Sequence, residues 1–385
     1  MPWKETCALG QKMELIVDWQ RKLYSIMELA EIYRVSRKTI YKWIDRYQLE
    51  GPAGLEERDR APIHHQNATP AEIVDMIVKA KLVNQRWGPK KLIARLEAEH
   101  PDMPWPALST ASEILRRRGL VRHRHQRHHT PPYTEPFQGC NGPNAVWSAD
   151  YKGQFRLGNG RLCYPLTISD NFSRYLLGCR ALARPSYEQT QPWFEWTFRE
   201  YGLPYAIRTD NGAPFAAVAV GGLSRLSIWF IKLGIIPERI DVGRPQQNGR
   251  HERMHRTLKD AAVAPPRDNL SQQQRVFDRF LDEYNHVRPH EALGQRTPAS
   301  VYRQSLREYP AKIRAVEYDS DTLVRHIHTQ GCMKWKGSLI YVSENLAGEN
   351  VGLKRISEHE WDVRFAFHRL GIFDELKGDI RAKKM

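Results

Sequence analysis

Three carboxylates in this chain stand where carboxylates are awkward. Asp150 closes the apolar run Val146-Trp147-Ser148-Ala149, and Asp210 closes Ala206-Ile207-Arg208-Thr209 ahead of Asn211-Gly212. Glu252 sits inside GRPQQNGRHERMHRTLK, from Gly243 to Lys259, where every other ionisable residue is Arg, His or Lys. Three acids gathered in one pocket cannot all stay ionised without cations. Their oxygens are hard ligands, suited to Mg²⁺ or Mn²⁺. Two such ions about 3.5–4 Å apart clamp the attacking and leaving oxygens of an in-line phosphoryl displacement. Each acid also has a structural reading: Asp150 opens a turn, Asp210-Asn211-Gly212 is itself a turn signal, and Glu252 pairs with Arg256 at i+4.

The order of the elements favours convergence. AVWSADYKGQF, RLCYPLTISD and SRYLLGCRAL alternate as strands, a helix is expected over about 187–201, and PYAIRTDNG is a fourth strand. Helical patterns follow around 223–233, 245–262 and 271–286. This is an α/β layer fold, and its first and fourth strands can lie side by side, bringing their terminal acids together. On a helix starting near Pro245, Asn248, Glu252, His255, Arg256 and Lys259 share a face. One acid for metal among groups for phosphates is what metal-dependent chemistry on a polyanion requires. Asn248, Arg250 and Arg256 are therefore candidate DNA contacts.

The remainder of the chain fits such a partner. Lys and Arg number 59 against 44 Asp and Glu, a net charge of +15, which points to nucleic acid. SIMELAEIYRVSRKTIYKWIDRY reads as a helix-turn-helix. Leu29, Ala30, Ile32 and Tyr33 form the inner face of its first helix, Ser36 caps the second, and Ile40, Trp43 and Ile44 face inward. Arg37, Lys38, Tyr41 and Lys42 remain to meet a major groove. Residues 68–121 read as a second helical module, with Pro89 opening one helix and Ser109 capping the next. Arg116 to His129 holds six Arg, four His and no acid, a basic tether. Beyond Arg314, short alternating strands suggest a small β-barrel. The five cysteines form no C-x-x-C pair, which argues against a zinc ribbon. No apolar run of about 18 residues exists to span a membrane, and no secretion signal is expected at Met1.

VWSADYKGQF, IRTDNGAPF, GRPQQNGRHERMHRTLK and YNHVRPHEALGQRTPA, in that order, resemble the catalytic core of the D-D-E transposase and retroviral-integrase superfamily, most closely bacterial insertion-sequence transposases. The resemblance covers about residues 140–305. It implies a ribonuclease-H-like fold in which Asp150, Asp210 and Glu252 bind two divalent ions, and a DNA contact for Lys259. The stretch from Asp210 to Glu252 is longer than in most of these enzymes, with a Gly221-Gly222 hinge expected within 216–226. The zinc-binding N-terminal domain of retroviral integrases has no counterpart in the cysteine pattern.

The chain is thus expected to be multidomain. All-α helix-turn-helix modules (1–60 and 68–121) precede a basic linker (122–140), a ribonuclease-H-like α/β core (141–305) and a small β-barrel (314–380). The expected function is transposition: recognition of an element's terminal repeats, Mg²⁺- or Mn²⁺-dependent cleavage, and transfer into double-stranded target DNA. The expected setting is a homo-oligomer at the bacterial nucleoid, in the cytoplasm. The alternatives are a domesticated, non-catalytic DNA-binding regulator and a ribonuclease-H-type nuclease.

Overall fold

The structure is a computed structural model that describes residues 7–58, 68–121, 139–217, 222–240 and 249–381. The chain divides into two compact units, Met1–Pro70 and Ala71–Met385.

In the first unit, α1 (Ala8–Gln20), α2 (Ile26–Ile32) and α3 (Arg37–Glu50) pack around Leu15, Leu29, Ile40 and Trp43. A capping box of Ser25 and Glu28 opens α2, and the Ser36 hydroxyl accepts from the Thr39 amide at 3.2 Å to open α3. Arg34 lies between them at φ +50°, the left-handed conformation usually left to glycine. It lets the chain reverse, so that α3 buries Ile40, Trp43 and Ile44 and exposes Arg37, Lys38, Tyr41 and Lys42. Ile32, expected on the inner face, is half exposed, because the turn begins at the next residue.

The second unit opens with α4 (Ala71–Val83), α5 (Pro89–Glu99) and α6 (Leu108–Arg117), closed over Ile77, Trp87, Leu92 and Leu115. The helix expected to be capped by Ser109 starts earlier. Ala107 is its N-cap and offers no side-chain bond, so Ser109 lies within the first turn.

The central layer is a six-stranded sheet: β1 (Val146–Tyr151), β2 (Phe155–Arg156), β3 (Leu162–Asp170), β4 (Leu176–Leu182), β5 (Ala206–Thr209) and β6 (Ile236–Arg239). β1 and β4 flank β3 antiparallel, and β2 pairs with the start of β3. α7 (Tyr187–Tyr201) carries the chain across so that β5 pairs parallel with β1, as a parallel pair requires. α8 (Arg225–Lys232) leads to β6, parallel to β5. Strand alternation then sorts the core into two halves. Trp147, Leu166 and Leu177 point to Phe194, Phe198 and Phe230 on α7 and α8. Cys163, Leu176 and Cys179 point to Met254 and Leu258 of α9 (Gly249–Leu258) and to Phe277 and Phe280 of α10 (Leu270–Asp282). A wider π turn follows each of these helices, at Lys259–Val263 and Glu283–Val287. Asn285, in the second turn, is fully buried and fastens it to the sheet edge. Its Oδ1 accepts from the Leu176 amide at 2.8 Å and its Nδ2 donates to the Leu176 carbonyl at 2.9 Å.

A short α11 (Pro298–Val301) precedes the terminal strands, β7 (Leu323–His326), β8 (Cys332–Trp335), β9 (Ser338–Tyr341), β10 (Asn350–Arg355), β11 (Glu360–Phe365), β12 (His368–Asp374) and β13 (Asp379–Arg381). The expected barrel is not closed. The five-stranded sheet runs β13-β12-β11-β10-β7, and β8 and β9 form a separate hairpin joined by the isolated bridge Ile327–Met333. The reason is local: LVRHIHTQGCM is broken by a turn at Gly331, φ +73°, where an added Cβ would lie 2.6 Å from the Glu344 amide. The layer shares its core with Ile228 and Ile231 of α8 and with Leu223 just before it.

The double bond from Asn285 to Leu176 sets an expectation for stability. Asn285→Ala leaves a buried N–H and a buried C=O unpaired and is expected to cost about 2–4 kcal/mol, read as a lowered urea midpoint.

Candidate active site

Strand register brings the first two acids together. β1 and β5 pair as Val146↔Ala206, Trp147↔Ile207 and Ser148↔Arg208. The same offset, carried two residues further, sets Asp150 level with Asp210. On β1, Trp147 and Ala149 face α7, so Asp150 points to the opposite side of the sheet, where α9 packs. Glu252 lies in the first turn of the described part of α9, and its side chain is exposed.

The electrostatics record the crowding. Burial, then the negative charge of Asp210, with a smaller contribution from Glu252, pushes the Asp150 carboxyl up to about 7. Burial also raises Asp210, partly offset by the Gly212 amide, which donates to its Oδ1 at 3.2 Å. These neighbours are what a divalent cation would relieve.

Between Asp150 and α9 lies a buried polar hub, Thr167 of β3. Its hydroxyl donates to the Asp150 carbonyl at 3.1 Å and lies 2.7 Å from Nε2 of both His251 and His255. A hydroxyl has one proton, so with it on the Asp150 carbonyl both imidazoles donate from Nε2. His251 Nδ1 then accepts from the Ser169 hydroxyl at 3.0 Å. His255 Nδ1 is left with a lone pair 3.7 Å from Asp150 Oδ2. Two electron-rich atoms so placed call for a proton or a cation between them. Asp150, His251 and His255 form the compact set, with ligand atoms within 4.8 Å of one another. The set that includes Asp210 and Glu252 is looser, as a pair of ions sharing Asp150 would allow.

By residue type His251 and His255 count among the groups of this helix that can be cationic, and helical spacing puts His255 on the face of Glu252; the structure corrects both. Both are buried and held neutral, His251 pushed down to about 3 by burial and His255 to about 2 by burial and then His251. His255 therefore leaves the face it was expected to share with Glu252. The overlooked signal was the inward spacing His251, Met254, His255, Leu258, which is an apolar-face pattern. Thr167 carried no signal in sequence, because its role depends on two elements meeting.

Of the other candidates, Arg256 and Lys259 are exposed, although Lys259 begins the π turn, so regular α spacing from Glu252 ends at Leu258. Arg250 is half-buried and donates to the Asn171 carbonyl at 3.0 Å. Asn248 and the expected helix start at Pro245 lie outside the described residues, as do residues 218–221 of the expected hinged segment and most of the basic linker. Gly222 has φ +65°, and Ala216 bridges to Leu223.

Two expectations follow. The folded pKa of Asp150 stands above its unfolded value near 3.9, so the native state holds the proton more tightly and metal-free stability falls as pH rises from about 4 to about 7. Asp150→Asn removes that slope and is expected to stabilise the metal-free protein at pH 8 by about 1–3 kcal/mol, discounted for partial exposure, in urea titrations across that range. Thr167→Val strands both imidazole donors and the Asp150 carbonyl and is expected to cost about 2–4 kcal/mol, whereas Thr167→Ser stays within about 1.

Comparison with known proteins bears on the whole chain. A helix-turn-helix domain model matches residues 11–63 and a homeodomain-like domain model residues 39–115. Integrase core domain models match residues 141–245 and 233–298. The uncharacterized 31.7 kDa protein of insertion element IS407 from Burkholderia multivorans is 27% identical over 259 residues, which is 67% of this chain and 86% of that protein. A putative transposase InsD for insertion element IS2E from Escherichia coli is 32% identical over 103 residues, 26% of this chain and 44% of that protein. Among solved structures, the magnesium-bound catalytic core domain of HTLV-2 integrase aligns with 42% of this chain and 99% of that chain, at 16% identity and a TM-score of 0.34. An integrase core behind helix-turn-helix domains, with insertion-element proteins among the relatives, is the domain pattern of the D-D-E transposase and retroviral-integrase superfamily, which this chain resembles.

Proposed function

We propose that the chain is a DNA transposase that cleaves at the ends of its element and joins the freed 3′-hydroxyl to target DNA. The observation that carries this reading is the parallel register that sets Asp150 level with Asp210, with Glu252 near enough to raise the Asp150 pKa. Asp150, Asp210 and Glu252 are the metal ligands, and two partly buried carboxylates beside an exposed third fit hard divalent ions. When bound, two Mg²⁺ or Mn²⁺ ions supply Lewis acidity and a nucleophile at neutral pH.

The protein's own contribution is position. Thr167 and the two histidines hold α9 against β1, so that Glu252 stays beside the acid pair. Arg256 and Lys259, exposed along α9 and its π turn, orient the phosphates that flank the reacting bond. Arg37, Lys38, Tyr41 and Lys42 on α3 contact the terminal repeats, and residues 68–121 extend that grip. The chemistry is direct displacement: water attacks phosphorus and a 3′-hydroxyl leaves, then that hydroxyl attacks a target phosphodiester and the target strand's own 3′-hydroxyl leaves. Two element ends must be brought together, so the working form is a homo-oligomer on double-stranded DNA, at the bacterial nucleoid.

The test uses duplexes taken from the inverted repeats that bracket the reading frame, with Mg²⁺ or Mn²⁺, scoring cleavage and strand transfer. Asp150→Asn, Asp210→Asn and Glu252→Gln are each expected to lose about 10³-fold in rate while still binding DNA. Full activity in Asp150→Asn would overturn the mechanism. Tight DNA binding with no cleavage by the unaltered protein would instead indicate a regulator. Lys38→Ala is expected to weaken binding to all duplexes alike and to reduce the slope of log affinity against log salt by about one.

A further inference from the structure

On the far side of α9 from Glu252 lies a cavity of about 420 Å³, backed by Met254 and Tyr284. At about 100° per residue, Arg250, Arg253 and Thr257 stand roughly 100–160° around the helix from Glu252, so the cavity is separate from the acid site. Five cations line it: Lys91 from α5, Arg174 from the β3–β4 turn, Arg250 and Arg253 from α9, and Arg288 from the turn after α10. Its one lining carboxylate, Glu291, is exposed and accepts from Lys90 at 2.7 Å. Among the described residues no carboxylate forms an ion pair with Arg174, Arg253 or Arg288. Glu283, exposed and outside the lining, also acts on Arg288.

The like charges act on one another. Burial, then Arg250, pushes Arg174 down to about 10, and burial, then Arg288, pushes Lys91 down to about 8. Arg174 and Arg250 are both turned toward the Asn171 carbonyl, donating at 2.7 and 3.0 Å. His290 Nε2 is buried in the same wall without a partner. Arg174 and Arg288 are partly withdrawn from water with no carboxylate paired to them among the described residues, which costs stability, and an anion filling the space offsets that cost.

We propose that this cavity is a phosphate-binding site that holds a backbone phosphate of duplex DNA away from the reacting bond. Guanidinium forks are the groups that match phosphate oxygens in pairs, and four of the five cations are arginines. The site rests on the DNA-transposase reading above and adds a fixed point to it. The wall opposite α9 is Lys91 of α5, so a phosphate seated here ties the second helical module and the acid-bearing helix to one duplex. The shared chemistry also suits a free polyphosphate, and the two sources are separable.

The experiment measures melting temperature in sodium pyrophosphate against sodium chloride at matched ionic strength, and duplex affinity as a function of salt. For the unaltered protein, pyrophosphate is expected to raise the melting temperature. The double variant Arg174→Gln, Arg288→Gln is expected to lose that rise, to bind duplex about tenfold more weakly, and to flatten the log–log salt slope by about one to two. Should that variant fail to fold, Ala292→Glu decides, because a carboxylate at this exposed lining position supplies its own counter-charge. It is expected to melt higher, to ignore pyrophosphate and to show the same weakened, flatter duplex binding. A pyrophosphate rise equal in all three proteins overturns the site. A rise lost in the variants with the duplex slope unchanged overturns the DNA source. These readouts need no turnover, so a protein inert in the cleavage assay that shows all of them sinks the transposase reading and leaves the site standing.

Discussion

The parallel pairing of β1 with β5 runs to Ser148↔Arg208, and its offset sets Asp150 level with Asp210, which follows the end of β5. Two carboxylates fixed there, one of them mostly buried, repel each other, and nothing in the sheet can relax to part them. The strands are locked by their ladders and by Trp147, Ile207 and the aromatic cluster of α7 and α8 beneath. The core spends part of its stability on keeping like charges together. That is intelligible if a divalent cation is the intended third party, because the preorganisation that is costly in the empty site is what makes the bound ion well placed. The crossover through α7 is what makes the parallel pair available at all.

α9 is the second organising element, and it works through the separation of its faces. Inward, His251 and His255 are neutral, bonded to Thr167, and act as polar packing rather than as charge. Outward, Glu252 and Arg256 meet solvent. Behind, Arg250 and Arg253 border the cationic cavity. The ten described residues of α9 thereby meet an acid pair, a hydrogen-bonded seam and a cavity lined by cations without mixing their chemistries. The neutrality of the histidines matters to this division: a charged imidazole beside Asp150 would offset the negative field of the acids.

The outer elements fix these parts in place. Asn285 ties the turn after α10 to β4, which braces Arg288 and His290 at the cavity wall. The terminal β layer shares a core with α8, and Lys232 pairs with Glu349 at 2.6 Å, so that layer is built onto the central domain. Leu223 belongs to the same cluster, and the Asn345 amide donates to its carbonyl at 3.0 Å. The C-terminal part of the 216–226 stretch is therefore anchored.

The sequence by itself determined the element order, the terminal positions of Asp150 and Asp210 on their strands, the helix that bears Glu252 and the basic face of α3. These follow from alternation, helical spacing, capping and turn residues, all of which are local. It also determined the inward pattern His251, Met254, His255, Leu258, although their aromatic nitrogens disguised it as basic surface. Only the tertiary structure decided that β1 and β5 pair in a register that levels the two acids, that Thr167 joins strand to helix, and that arginines from α9, the β3–β4 turn and the turn after α10 share one cavity. It also decided that the terminal strands stop short of a closed barrel. Each of these depends on which distant segments meet and at what offset. Periodicity along a chain carries no record of that offset, because shifting a strand pair by two residues leaves every local pattern unchanged.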